Sequence, residues 1–263
     1  MNLNTNSFFE NPLTASVFET MVAQNRVIFR MAEHLDRLWE SAQTIGVPME
    51  LKREALEAEL IQVARKCHNK KMCIRVAIKG REKTILTFER SLPASYYQDG
   101  IHLVTSATRR NASNAMSPEA KSNQFLNGIL SLLDLTSGAA FETLILDRNG
   151  LVKEARVWNL FIVKRGTLET PATDGILNGV TRNFVIECAL KEKIPVVETS
   201  FTRHEVWNSE EAFLTNTSGG ILPVQSLDGR KIKSPIPGKI TKQLSKRYKL
   251  EFEKEMSAMT FNL

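Results

Sequence analysis

Four short segments of this 263-residue chain hold side chains whose types and spacing could do chemistry. The first is Lys121, in Ser117-Pro118-Glu119-Ala120-Lys121-Ser122-Asn123, just ahead of a strongly apolar stretch that reads as a helix over 122–137. A lysine at a helix start meets the positive end of the helix dipole, and that field would push its pKa toward the neutral amine that imine formation needs. Taken alone, it also reads as a solvated surface lysine. The second is Glu154, in Leu151-Val152-Lys153-Glu154-Ala155-Arg156-Val157-Trp158-Asn159-Leu160-Phe161. In a strand over 151–157 it would share a face with Arg156 and Trp158, which fits an inward functional carboxylate and equally a solvent-facing one.

The third segment, Ile176-Leu177-Asn178-Gly179-Val180-Thr181-Arg182-Asn183, is a glycine-bearing turn that opens an apolar helix. Free amides and the helix dipole make such a start an anion seat, and Thr181 adds a hydroxyl, although a plain threonine cap explains the same letters. The fourth, Thr215-Asn216-Thr217-Ser218-Gly219-Gly220, is a strand followed by a polar loop able to add donors to the same anion, or simply a turn.

The elements that must position these residues follow from periodicity. Two β-prone stretches around Gln24-Asn25-Arg26 predict a hairpin over 17–29. His34-Leu35-Asp36-Arg37-Leu38-Trp39 carries a helical pattern that stops at Gly46 and Pro48, and a second helix is expected over 52–66. Strands over 72–78 and 84–88 then meet at the Gly80 turn, so the first part of the chain forms one α+β unit. The pattern breaks near Leu92-Pro93-Ala94-Ser95, which places a boundary around residue 98 and divides the chain into 1–98 and 99–263. Beyond it, strands are expected over 101–107, 143–147, 151–157, 159–164, 196–199 and 212–215, with hairpin turns at Asn149-Gly150 and Asp228-Gly229.

Composition excludes other classes. The chain is 42% hydrophobic and 24% charged, as expected of a globular protein. Its formal charge of +6 is dispersed, and the densest stretch, from Arg230 to Glu255, mixes lysines with Glu251, Glu253 and Glu255, as a solvated surface would. Neither a nucleic acid nor a membrane is an expected partner. Cys67, Cys73 and Cys188 have neither zinc nor redox spacing and read as buried thiols in a reducing compartment, with no metal site. With no signal-peptide core and no apolar run of roughly 18 residues, the expected location is the cytoplasm.

In their order along the chain, these segments resemble the fold type IV pyridoxal-phosphate enzymes, the group of branched-chain aminotransferases, D-amino-acid aminotransferases and aminodeoxychorismate lyases. The resemblance is carried by Val17-Phe18-Glu19-Thr20, Glu33-His34-Leu35-Asp36-Arg37-Leu38, Lys121, residues 154–161, Thr170-Pro171, Gly175 to Arg182, residues 213–224 and Pro237-Gly238, almost the whole chain. It implies an α+β fold of two domains, a smaller N-terminal one and a larger β-rich, cofactor-binding one with helices, assembled as a homodimer. The cofactor it implies is pyridoxal 5′-phosphate. Lys121 would be the catalytic residue, bonded to the cofactor and moving the proton between substrate Cα and cofactor C4′. Glu154 would pair with the pyridine nitrogen. Arg37 would hold the phosphate through a bidentate contact, with the Val180 and Thr181 amides and Thr217 completing the cup, and Asn159 would shape the strand beside it.

Phe18, Lys79 and Ser218 are the expected substrate contacts, and here the chain departs from the family. Leu13-Thr14-Ala15-Ser16 replaces the usual Gly-acid-Gly turn, Phe18 has no hydroxyl, and Lys79 stands where an arginine often receives the substrate carboxylate, with Arg81 as the other cation of that turn. Ala155-Arg156-Val157-Trp158 replaces a small polar run, and Arg109, Arg110, Lys153 and Arg156 supply more cations than the cofactor needs, which suits a dianionic substrate or equally a decorated surface. Amino-group transfer between an amino acid and a 2-oxo acid is the expected reaction. The alternative is aminodeoxychorismate lyase, which forms 4-aminobenzoate and pyruvate, toward which the short length, Phe18-Glu19-Thr20 and Leu214-Thr215-Asn216 lean.

Overall fold

The structure is a computed structural model that describes residues 15–67, 71–112, 117–123, 126–135, 140–233 and 235–260. β1 (Val17–Gln24) turns at Asn25 and Arg26, both left-handed with φ of 52° and 70°, into β2 (Val27–Ile28), which is the expected hairpin. α1 (Met31–Ile45) ends at Gly46, whose φ of 71° only glycine adopts readily. α2 (Arg53–Lys66), β3 (Met72–Lys79) and β4 (Glu82–Phe88) follow, and the strands form an antiparallel sheet in the order β2-β1-β3-β4. Alternation along the strands sends Val17, Met21, Ile74, Val76 and Ile78 inward against Leu35, Leu38, Leu56 and Leu60 of the two helices. The same alternation sends Glu19 into that core, so α1 must supply its partners.

The rest of the chain builds a larger mixed sheet. Its elements are α3 (Ala94–Asp99), β5 (Ile101–Arg109), α4 (Leu126–Leu130) running into a 3₁₀ turn (Ser131–Leu135), β6 (Glu142–Leu146), β7 (Val152–Ala155), β8 (Asn159–Lys164) and β9 (Thr167–Thr170), then α5 (Val180–Lys191), β10 (Val196–Glu198), α6 (Arg203–Asn208), β11 (Glu211–Asn216), β12 (Gly220–Leu227), β13 (Arg230–Lys231) and α7 (Lys239–Thr260). The strand order is β10-β9-β8-β11-β12-β5-β6-β7, with β13 beside β12. β8 lies inside this sheet and is buried on both faces: Leu160 and Ile162 meet one core, while Phe161 and Val163 meet another formed with Phe184, Val185 and Leu244 of α5 and α7. Among the described residues no helix is long and apolar enough to cross a membrane.

Three expectations are corrected here. The helix expected over 122–137 starts at Leu126 among the described residues and tightens to 3₁₀ at Ser131, while residues 124, 125, 136 and 137 lie outside them. Lys121 therefore lies outside the described helix, on chain that bridges to β1 through Ser122. The strand expected over 151–157 stops at Ala155, because Arg156 and Val157 form a tight turn closed by Ala155 N–H to Trp158 O at 2.8 Å. Glu154, Arg156 and Trp158 thus share no strand face. Finally, the charged tail is largely helix α7. Ile240, Leu244, Tyr248, Phe252 and Met256, spaced by four, bury one stripe against α5 and the sheet.

Candidate active site

Lys121 is fixed by stitching residues 121–123 to the open edge of β1. Phe18 N–H donates to Lys121 O at 3.1 Å, Asn123 N–H donates to Ser16 O at 2.9 Å, and Lys121 N–H donates to Ser41 Oγ of α1 at 2.9 Å. The ammonium lies over the Phe18 ring, 4.9 Å from its centroid. Burial pushes the Lys121 amine down to about 8, Arg37 and Arg75 adding to the fall against the pull of Glu19 and Glu154. The depressed pKa expected from a helix dipole is thus present, but desolvation and neighbouring cations cause it.

Glu154, at 4% exposure, lines the same cleft. Its carboxylate meets Arg110 Nη2 at 2.6 Å and accepts from the Leu177 N–H at 3.2 Å and from Asn159 Nδ2 at 3.3 Å. Burial raises its pKa above the ordinary glutamate value, with Arg110 the main opposing influence. Asn159 also donates to Leu177 O at 2.9 Å, tying β8 to the loop before α5. A Cβ on Gly179 would fall 2.1 Å from Asn159 Oδ1, so the backbone can pass this close only as glycine.

Gly179 caps α5 with no side-chain hydrogen bond to the helix, so the Val180 and Thr181 amides open into the cleft end. Thr181 Oγ and Thr217 Oγ stand 3.4 Å apart across the seat. Of the expected site residues, Phe18, Arg37, Lys121, Glu154, Asn159, Val180, Thr181 and Thr217 all line this one cleft. Ser218 does not, its hydroxyl donating instead to Asn216 Oδ1 at 3.3 Å. Lys79 is exposed at the end of β3 and does not line the cleft, and Arg81 is spent on Glu50 at 2.6 Å.

Arg37 lines the cleft with one edge already engaged. Its Nε meets Glu19 Oε1 at 2.6 Å and its Nη2 meets Oε2 at 2.9 Å, while Nη1 donates to Asn178 O at 2.7 Å. Only the remaining N–H on each of Nη1 and Nη2 is open to a ligand. Glu19 is fully buried and also meets His34 Nδ1 at 2.8 Å. Burial alone would raise the Glu19 pKa, but Arg37 and His34 hold it well below the usual carboxylate range. An anionic Glu19 makes Nδ1 the protonated nitrogen of His34, whose own pKa burial lowers, and His34 Nε2 is buried without a partner among the described residues.

Three cleft residues were not picked out as site residues from the sequence. Thr215 Oγ and Arg110 Nε are buried without partners among the described residues, and Arg156 is held by Glu142. Arg110 and Arg156 stood out as surplus cations, suited to a dianionic substrate or to the surface, and Thr215 as part of a strand and of the Leu214-Thr215-Asn216 run.

This cleft joins a desolvated amine, a buried carboxylate, orphaned polar atoms and the open start of a twelve-residue helix. That donor set fits a molecule with a reactive carbonyl, a basic ring nitrogen and a phosphate. Residues 16–227 match the amino-transferase class IV family. The chain belongs to that family and is an aminotransferase that uses pyridoxal 5′-phosphate. A branched-chain-amino-acid aminotransferase of Pseudomonas aeruginosa is 32% identical over 241 residues, covering 86% of this chain and 78% of its own. A D-alanine aminotransferase of Bacillus licheniformis is 28% identical over 244 residues, covering 87% and 84%. The crystal structure of a branched-chain amino acid aminotransferase from T.th. with pyridoxamine 5′-phosphate superimposes with a TM-score of 0.84 at 26% identity, covering 91% of this chain and 85% of that one. The substrates are thus small amino and 2-oxo acids, and the lyase alternative gains no support.

Proposed function

We propose that the chain moves amino groups between branched-chain or D-amino acids and 2-oxo acids, with Lys121 as the residue that carries the cofactor. The observation that carries this reading is the desolvated Lys121 amine, with a pKa of about 8, in one cleft with Glu154 and the start of α5. The relatives named for branched-chain amino acids and D-alanine support the substrate class. When bound, pyridoxal phosphate supplies an aldehyde carbon for amine exchange and a ring that accepts electrons. Lys121 Nζ would hold that carbon covalently, and its free amine would be the base that moves the proton between substrate Cα and C4′. Glu154, oriented by Asn159 and the Leu177 amide, holds a proton on the ring nitrogen. The Val180 and Thr181 amides, Thr217 and the two free N–H groups of Arg37 hold the phosphate.

Borohydride reduction of the yellow, cofactor-loaded protein, followed by peptide mapping, should place the adduct on Lys121, and an adduct on any other lysine rejects the reading. Half-reactions with matched L- and D-amino acids then separate the two substrate classes. Glu154→Gln keeps a hydrogen-bonding group without the charge, so the cofactor should stay bound while Cα–H removal slows by about a hundredfold, equivalent to ~2.7 kcal/mol. Wild-type deprotonation rates in stopped-flow spectra of that variant would reduce Glu154 to a buried partner of Arg110.

The same reading divides the chain near residue 98, where the strands of the smaller sheet give way to those of the larger one, and has it working as a homodimer in the cytoplasm. Free, buried Cys67, Cys73 and Cys188 are consistent with a reducing compartment.

A further inference from the structure

A substrate amino acid or 2-oxo acid brings a carboxylate into the cleft, and its charge must be met there when it leaves water. Four cations line the cleft. Arg37 is committed to Glu19 and Asn178, Arg110 to Glu154 at 2.6 Å, and Lys121 to the cofactor on the reading above. Arg156 differs. It stands on the tight turn after β7, its side chain 24% exposed, and meets Glu142 loosely, Nε to Oε1 at 3.2 Å and Nη2 to Oε2 at 3.4 Å. Its Nη1 end has no partner among the described residues. Glu142 behind it is 2% exposed and accepts the Thr143 N–H at 3.0 Å, so the carboxylate that orients Arg156 is itself fixed.

We propose that Arg156 receives the substrate carboxylate, with Glu142 as the positioning residue that aims its guanidinium. Nε can stay on Glu142 while the Nη1 and Nη2 end takes the two oxygens of an incoming carboxylate. This assigns to the far side of the cleft a task that Lys79 and Arg81, both outside it, do not perform within this chain. The assignment rests on the reading that Lys121 carries the cofactor here.

The test uses cofactor-loaded wild type, Arg156→Gln and Arg156→Lys with two unreactive acids, 4-methylvalerate and glutarate. Binding is read from the change in cofactor absorption and by calorimetry. Arg156→Gln should weaken binding by about tenfold to a hundredfold, as expected for loss of a charged hydrogen bond, with Arg156→Lys in between. In the amino-acid half-reaction the KM should rise by a similar factor while the limiting rate holds. Equal weakening of both acids makes Arg156 the seat of the α-carboxylate, whereas weakening of glutarate alone makes it the seat of a side-chain carboxylate, and either supports the assignment. Unchanged affinity for both acids, in a variant with wild-type absorption and melting temperature, overturns it. A wild-type protein whose spectrum shows no lysine-bound cofactor before any acid is added overturns the functional reading instead.

Discussion

Lys121→Ala should lose turnover by about a thousandfold or more, because the variant lacks both the bond that seats the cofactor and the base that moves the Cα proton, a base of this kind contributing about 10²–10⁴. Lys121→Arg should be as inactive. It keeps the cation above Phe18, but a guanidinium stays protonated and can neither bond a carbonyl carbon nor accept a proton. The pair of variants separates chemistry from electrostatics, since an electrostatic role would survive in arginine. In the wild type the amine is pushed down to about 8, so the rate of cofactor attachment to apoprotein should climb as pH rises through that value and level off above it. Cofactor content after dialysis, borohydride incorporation and single-turnover rates are the measurements. Turnover within about tenfold of wild type in either variant would remove Lys121 from this role.

Eight of the residues singled out from the sequence meet in one cleft, and the reason is local. Lys121, Glu154 and the Val180-Thr181 helix start are set by side-chain type and by local chain geometry, both of which letters record. The order of the segments then mattered more than any one of them. The hairpin at Asn25-Arg26 and the stop at Gly46 were equally visible, because left-handed turns and helix ends have local signatures.

What escaped the sequence depended on distant partners. A loop cation such as Arg110 looks the same whether it meets water or Glu154, and only the fold brings it within 2.6 Å of that carboxylate. The depressed pKa of Lys121 was expected from a helix dipole, whereas burial is its largest cause. Helix α7 was hidden by its charge. Its apolar stripe is one residue in four, and Lys191 and Arg247 pair with Glu251, so a surface-like composition covers a buried face. The turn at Arg156-Val157 interrupts what reads as continuous strand, and Trp158 is drawn into the core beside Gly219, where a Cβ would lie 2.2 Å from its ring.

Arg37→Ala should destabilise the protein by about 3–5 kcal/mol, the usual cost of leaving one member of a buried ion pair behind. A role confined to holding phosphate would spare the fold, but the guanidinium makes two bonds to Glu19, a fully buried carboxylate whose other partners are a buried histidine and the Thr20 N–H. Removing Glu19 as well should recover much of the loss, so Glu19→Leu/Arg37→Ala is expected to be more stable than Arg37→Ala alone. Acid supplies an independent check. Glu19 is held below its ordinary value in the folded wild type, so the stability it contributes is present above about pH 4.5 and drains away as pH falls toward its folded pKa. His34 is also lowered, and its contribution declines in the same direction from about pH 6.5 downward, as the unfolded chain takes up a proton that the folded one refuses. In Arg37→Ala the sign at Glu19 reverses. With Arg37 gone, His34, the Thr20 N–H and the Lys121 charge are left to oppose burial, so the carboxyl is expected to titrate above its unfolded value and acidification to relieve the poorly paired charge. The gap between wild type and Arg37→Ala, measured by denaturant unfolding of the apoproteins at pH 7 and pH 4.5, should therefore narrow at the lower pH. A variant within about 1 kcal/mol of wild type at pH 7, or a gap that widens in acid, would show that Glu19 does not depend on Arg37 for its charge.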